Sequence, residues 1–119
     1  MNDELFRVVL HQVIDEGRLE TFKEMGERLV AANKGNEPDT LTYEYYVNEV
    51  GTDGWVVSTF ANSEALLLHY VHSREMRFEM PEIGPIVDVH VFGSPNAEAR
   101  KELDWLRPTY VPLFAGYMR

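Results

Sequence analysis

The chain has 119 residues, no cysteine and a formal net charge of −9 at pH 7. That length suits one domain with one core, and the lack of cysteine excludes a disulfide framework, thiol chemistry and a cysteine-based zinc site. The acidic balance argues against a nucleic-acid partner, whose phosphates require a basic patch.

Taken in chain order, the first element is a strand over Leu5 to Ile14, apolar on both faces: Phe6, Val8 and Leu10 on one, Val9 and Val13 on the other. A helix follows from Gly17 to Lys34, with Leu19, Phe22, Met25, Leu29 and Val30 in a stripe and Gly35 as its closing residue. Leu41 to Val50 and Trp55 to Phe60 are rich in Thr, Tyr, Trp and Val, and Gly51-Thr52-Asp53-Gly54 joins them as a hairpin around its Asp-Gly pair. Asn62-Ser63 then offers capping oxygens to a helix running from about Ser63 to about Glu75. Gly84-Pro85 is a turn, and Ile86 to Phe92 is the fourth strand.

This order is β-α-β-β-α-β, the ferredoxin-like α+β unit: an antiparallel sheet with both helices on one face. Residues 1–93 form that domain, and 94–119 form an added C-terminal helix and arm. Ser94 and Pro95 open the helix, which extends to Leu106, and Pro108 limits it. The tail, Thr109 to Arg119, is too apolar for a free end. Its Pro112 suits an edge strand or an extended arm, docked on a partner subunit or over the mouth of a pocket. The bare sheet face requires cover, which a second copy supplies as a homodimer, the alternative being a monomer whose third helix and tail cover it. No run of ~18 apolar residues occurs, and the N-terminus lacks a basic stretch before an apolar one. Neither a membrane span nor a signal peptide is therefore expected, and a cytoplasmic location is the default.

GRLETFKEMGERL, followed by LTYEYYVNEVGTDGWVVSTFANSEALLLHYVHS, resembles the antibiotic biosynthesis monooxygenase family of dimeric α+β barrels, including its quinol monooxygenase-like members, over roughly residues 5 to 92. The family pattern is a Gly opening the first helix, Tyr-Glu on the second strand, a Glu-x-Trp-like end to the third, and Ala-Leu-x-x-His in the second helix. This chain supplies Gly17, Tyr43-Glu44 and Ala65-Leu66-Leu67-Leu68-His69, with Ser58 and Phe60 in place of Glu and Trp. The resemblance implies a homodimer acting as a cofactor-independent monooxygenase on a small phenolic or quinol substrate. The pocket takes the phenolic proton, and the electron-rich anion itself reduces dioxygen. His69, Glu44 and Tyr46 are then the catalytic candidates, and Ser58, Phe60, Tyr70 and His72 the substrate-binding ones. The residues that the haem-degrading branch uses are absent, with Leu10 and Phe60 in two of those positions.

Residue chemistry supports these candidates and leaves alternatives open. A histidine on a helix face can donate to a phenolic oxygen or be a hydrogen-bonded core residue. The Tyr43, Tyr45, Tyr46, Trp55, Phe60 and Tyr70 group can stack on a planar ligand or pack as core. If the hairpin alternates regularly, Glu44, Tyr46, Ser58 and Phe60 share one face; the resemblance implies that this is the pocket face, where desolvation would raise Glu44 toward a useful base, the other reading being a solvated strand residue. His69 and His72, three apart, offer two metal ligands that need others, from His11 or His90. Without an HExxH pattern no metal is expected. Arg74 and Arg77 suit a helix C-terminus, or neutralise an anionic substrate at a pocket mouth. A non-catalytic dimeric module that binds a small apolar ligand is the alternative function, and isomerase or decarboxylase chemistry fits the same scaffold.

Overall fold

The computed structural model describes residues 5–119; the first four residues of the 1–93 domain lie outside it. The elements are β1 (Phe6–Val13), α1 (Leu19–Asn36), β2 (Thr40–Val47), β3 (Asp53–Phe60), α2 (Ser63–His72), α3 (Met76–Ile83), β4 (Ile86–Phe92), α4 (Ala97–Leu103) and β5 (Thr109–Val111), with one 3-10 turn (Asp104–Leu106) after α4. The sheet order is β2-β3-β1-β4-β5. The first four strands are antiparallel to their neighbours, as the ferredoxin-like unit requires, and β5 lies parallel to β4.

One face of this sheet carries the core. Phe6, Val8, Leu10 and Gln12 point inward from β1, between Val56 and Phe60 of β3 and Val89 and Val91 of β4. The helices meet them with residues at helical spacing: Phe22, Met25 and Leu29 from α1, Ala65, Leu66, His69 and Tyr70 from α2, and Met76, Met80 and Ile83 from α3. Each large apolar side chain buried in this way contributes roughly 1.5–3 kcal/mol. α1 approaches β2 closely because residue 26 is glycine: a Cβ there would lie 2.9 Å from the Tyr45 ring. The other sheet face, with Arg7, Val9, His11, Glu44, Tyr46, Trp55, Val57, Asp88, His90 and Phe92, is covered by no helix among the described residues.

Several boundaries depart from the sequence expectation, each for a local reason. α1 does not close at Gly35; it runs to Asn36, whose amide donates to the Ala32 carbonyl, and the Glu37 N–H then donates to Asn33. The β2–β3 connection is not built on Asp53-Gly54, which already belong to β3. Instead the Asn48 side chain accepts from the backbone of Thr52 at 2.9 Å and of Asp53 at 3.1 Å, with Gly51 at φ +75. α2 stops at His72 rather than Glu75, and a helix not read from the sequence, α3, follows with Pro81 inside it. The cap of α4 is Asn96, accepting from Ala99 N, and not Ser94. Of the tail, Thr109–Val111 pairs with β4 of its own chain; beyond Pro112 the side chains are exposed, Phe114 at 99%.

Candidate active site

Glu37 follows the last turn of α1, and His69 and His72 sit three residues apart on α2, so the packing of these two helices brings all three together. The Glu37 side chain is 1% exposed. Its Oε1 lies 3.0 Å from His69 Nδ1 and its Oε2 lies 2.9 Å from His72 Nδ1, while Thr40 Oγ1 donates to Oε1 at 3.1 Å. Burial pushes the carboxyl up, but the hydrogen bond and charge of His69, then the bonds from His72 and Thr40, hold it below its ordinary value. An ionised carboxylate only accepts, so both imidazoles donate to it from Nδ1. Asn33 Nδ2 lies 2.9 Å from that same His69 nitrogen, a contact that is a hydrogen bond with an Nδ1–H committed to Glu37 only when the amide is turned over. In neutral His69 the lone pair is then on Nε2. This is the carboxylate–imidazole arrangement that orients a general base.

His69 is buried and lines a small cavity of about 20 Å³ between sheet and helices, together with Val8, Ser58, Phe60, Tyr70 and Met80. Its ring meets Tyr43 edge-on at 4.8 Å between centroids and Phe60 at 5.4 Å. Among the described residues the Ser58 hydroxyl has no hydrogen-bond partner, which leaves it free to donate to an oxygen in the cavity. Tyr43 and Tyr45 share a hydrogen bond of 2.8 Å. Burial first, then the neighbouring phenol, drives Tyr43 well above the usual phenol range. Burial also pushes Tyr45 up to about 12 and raises Tyr70. These phenols stay neutral, acting as donors and walls. A cavity of this size holds about one water, so a ring enters only if side chains yield.

The structure brings together His69, Ser58, Phe60 and Tyr70, four of the residues chosen from sequence. It separates Glu44 and Tyr46 from them. Tyr43 pairs with Ser58 and Tyr45 with Val56, so Tyr43 and Tyr45 point inward, while Glu44 and Tyr46 occupy the uncovered face opposite Val57 and Trp55. Tyr46 is 49% exposed and its phenol is raised chiefly by its hydrogen bond with Glu44. His72 is not a cavity residue: at 33% side-chain exposure it grips Glu37 from the solvent side. His11 and His90 lie on the uncovered face too. His11 is bonded to Asp53 at 2.7 Å and stacked on Trp55 at 4.6 Å, and His90 lies 3.2 Å from Asp88, so neither joins His69 and His72. Among the described residues no group of three His, Asp or Glu is arranged to hold a metal ion. Glu37 was missed from sequence. A single Glu before Pro38 carries no motif, and only the topology joins it to histidines 32 and 35 positions away.

No family model matches the chain, and no curated protein matches it. Solved structures do. MupZ from Pseudomonas fluorescens is similar at a TM-score of 0.82 and 26% identity, covering 100% of this chain and 91% of MupZ. A Caulobacter crescentus CB15 protein provisionally described as an antibiotic biosynthesis monooxygenase matches at a TM-score of 0.67 and 19% identity over 80% of this chain and 93% of its own. A Bacteroides thetaiotaomicron VPI-5482 protein of the same provisional description matches at 0.65 and 12% over 82% and 93%. The resemblance read from the sequence thus stands at the level of fold.

Proposed function

We propose that this chain, which shares the fold of the antibiotic biosynthesis monooxygenases, is a cofactor-independent monooxygenase of a phenolic or quinol substrate, with His69 as its base. The observation that carries the proposal is the buried Glu37 carboxylate bonded to His69 Nδ1 at the edge of an apolar cavity. His69 Nε2 takes the phenolic proton; Glu37 fixes the ring and stabilises the imidazolium; Ser58 donates to the phenolate oxygen. The phenolate then gives an electron to dioxygen, and recombination at an ortho or para ring carbon that still carries hydrogen forms a C–O bond, the peroxide taking its proton from the His69 imidazolium. Loss of water from the resulting peroxide leaves a quinone, so that one oxygen atom enters the product and the other leaves as water. Apolar walls keep bulk water from the anion. Glu44 and Tyr46 have no part in this scheme, and His72 acts only by holding Glu37.

A second copy completes the molecule in this reading, seated on the uncovered sheet face where Val9, Trp55, Val57 and Phe92 offer apolar surface. Among the described residues no helix is long and apolar enough to cross a membrane, and a cysteine-free chain suits the reducing cytoplasm. A second reading, favoured by Ser58 and Phe60 in place of the family's Glu and Trp, is a non-catalytic module that binds a small apolar ligand. Oxygen uptake by metal-free, flavin-free protein over a panel of quinols separates the two: uptake that His69→Gln abolishes supports catalysis, and a panel with no uptake above that variant supports the module.

A further inference from the structure

Tyr70 belongs to two spaces at once. Beside His69 it lines the small inner cavity, and it also lines a groove of about 510 Å³ between α2, α3 and α4. The groove is apolar along its length, with Leu67 and Val71 from α2 and Phe78 from α3, the last 73% exposed. Around it stand two guanidinium groups, Arg74 and Arg77, against one carboxylate, Glu102. The Arg77–Glu102 pair is 3.9 Å apart and solvent-exposed, and therefore weak. Among the described residues Arg74 makes no ion pair or hydrogen bond. In a chain of net charge −9, an apolar groove with a cationic border selects one chemistry, an apolar body that carries an anion.

The sizes divide the labour between the two spaces. The groove falls in the roughly 300–1,000 Å³ range of sites that hold a whole small ligand, whereas the inner cavity, at about 20 Å³, has room for about one water until its side chains yield to a ring. Entry requires the side chains between them to give way. Tyr70 forms that partition, and Met76 and Met80, flexible and unbranched, line the cavity behind it.

We infer that groove and cavity are two parts of one site separated by the Tyr70 side chain, and that its substrate is an anionic amphiphile: a phenol or quinol whose ring end reaches His69 while an apolar, negatively charged extension lies in the groove against Arg74 and Arg77. This rests on the proposed role of His69 and names the substrate class that it serves. Arg74 and Arg77 are specificity-determining residues: they hold the far end of the substrate and touch none of the reacting atoms.

The test uses 6-(4-hydroxyphenyl)hexanoate and its uncharged counterpart 4-hexylphenol, titrated into Trp55→Phe protein. In that variant Trp105, whose ring lies 5.7 Å from the Arg77 guanidinium, is the only indole. Trp105 fluorescence reports the groove, and the imidazole nitrogen signals of His69 report the cavity. The inference expects the acid to saturate both signals together and to bind about tenfold more tightly than the phenol lacking the carboxylate. It also expects Arg74→Ser, an exposed substitution, to remove most of that difference. Equal binding of the two compounds overturns the inference, as does saturation of Trp105 that leaves the His69 signals unmoved. Neither readout needs turnover, so failure here is distinguishable from failure of the oxygen chemistry.

Discussion

At Glu37 two effects of opposite sign meet: burial raises the carboxyl, and the donors His69, His72 and Thr40 lower it further than burial lifts it. Replacing it with glutamine puts an amide against imidazole donors and leaves buried groups badly paired, which costs about 1–3 kcal/mol at pH 7. Because the folded carboxyl is depressed, that stabilisation is present above its ordinary value of 4.5 and is lost as pH falls below it. Urea denaturation should therefore show wild type and Glu37→Gln converging in stability as pH falls through that range; a gap that stays constant into stronger acid contradicts the assignment. Tyr43 and Tyr70 shift in the other sense. Their raised phenols favour the fold below the ordinary value of 10.0, and that contribution is lost as pH rises above it. Ultraviolet titration should show both phenols ionising only as the protein unfolds. His69, Ser58 and Phe60 were legible in the sequence because the family pattern fixes their place on α2 and β3. Glu44 and Tyr46 were misplaced because Tyr43-Glu44-Tyr45-Tyr46 puts an aromatic residue on both faces, so composition cannot say which face is buried.

Between elements, the face of β2 is decided by its turn. Asn48 closes the β2–β3 connection through its side chain, and that closure sets Tyr43 opposite Ser58. The strands, their order and the first two helices were legible from alternation and helical spacing. α3 was hidden in the stretch between α2 and the Gly84-Pro85 turn, although Met76, Met80 and Ile83 keep an inward face. Met80 is buried to 1% exposure under both the sheet and the cavity, so Met80→Ala should cost about 2–5 kcal/mol by denaturant midpoint. A loss below 1 kcal/mol would show that α3 is not part of the core. Asn62 caps α2 by accepting from Ala65 N at 2.9 Å, and Asn62→Ala should cost about 1 kcal/mol and loosen the helix that carries His69.

For the whole molecule, the arrangement of helices on a single sheet face leaves Val9, Trp55, Val57 and Phe92 without a helix over them, and Leu113, Phe114, Tyr117 and Met118 of the C-terminal arm are exposed as well. The fold class was legible here, since β-α-β-β-α-β fixes one covered face and one bare one. The fifth strand was foreseen only as an edge or an arm, because three residues before a proline carry little pattern. Light scattering should give twice the chain mass for wild type and the chain mass for Val57→Glu, which places a charge in the middle of the bare face. A monomeric wild type would mean that the face is not an interface between copies. The central claim is that His69, held by Glu37, removes a proton and so starts oxygenation in the inner cavity. Its most direct test is the rate of oxygen consumption by metal-free, flavin-free protein over phenols and quinols that carry a carboxylate extension. Wild type should consume oxygen and release quinone, His69→Gln should fall by about 10²-fold or more, and Glu37→Gln should fall between the two. An unchanged rate in His69→Gln, or no uptake by wild type on any of these compounds, would contradict it.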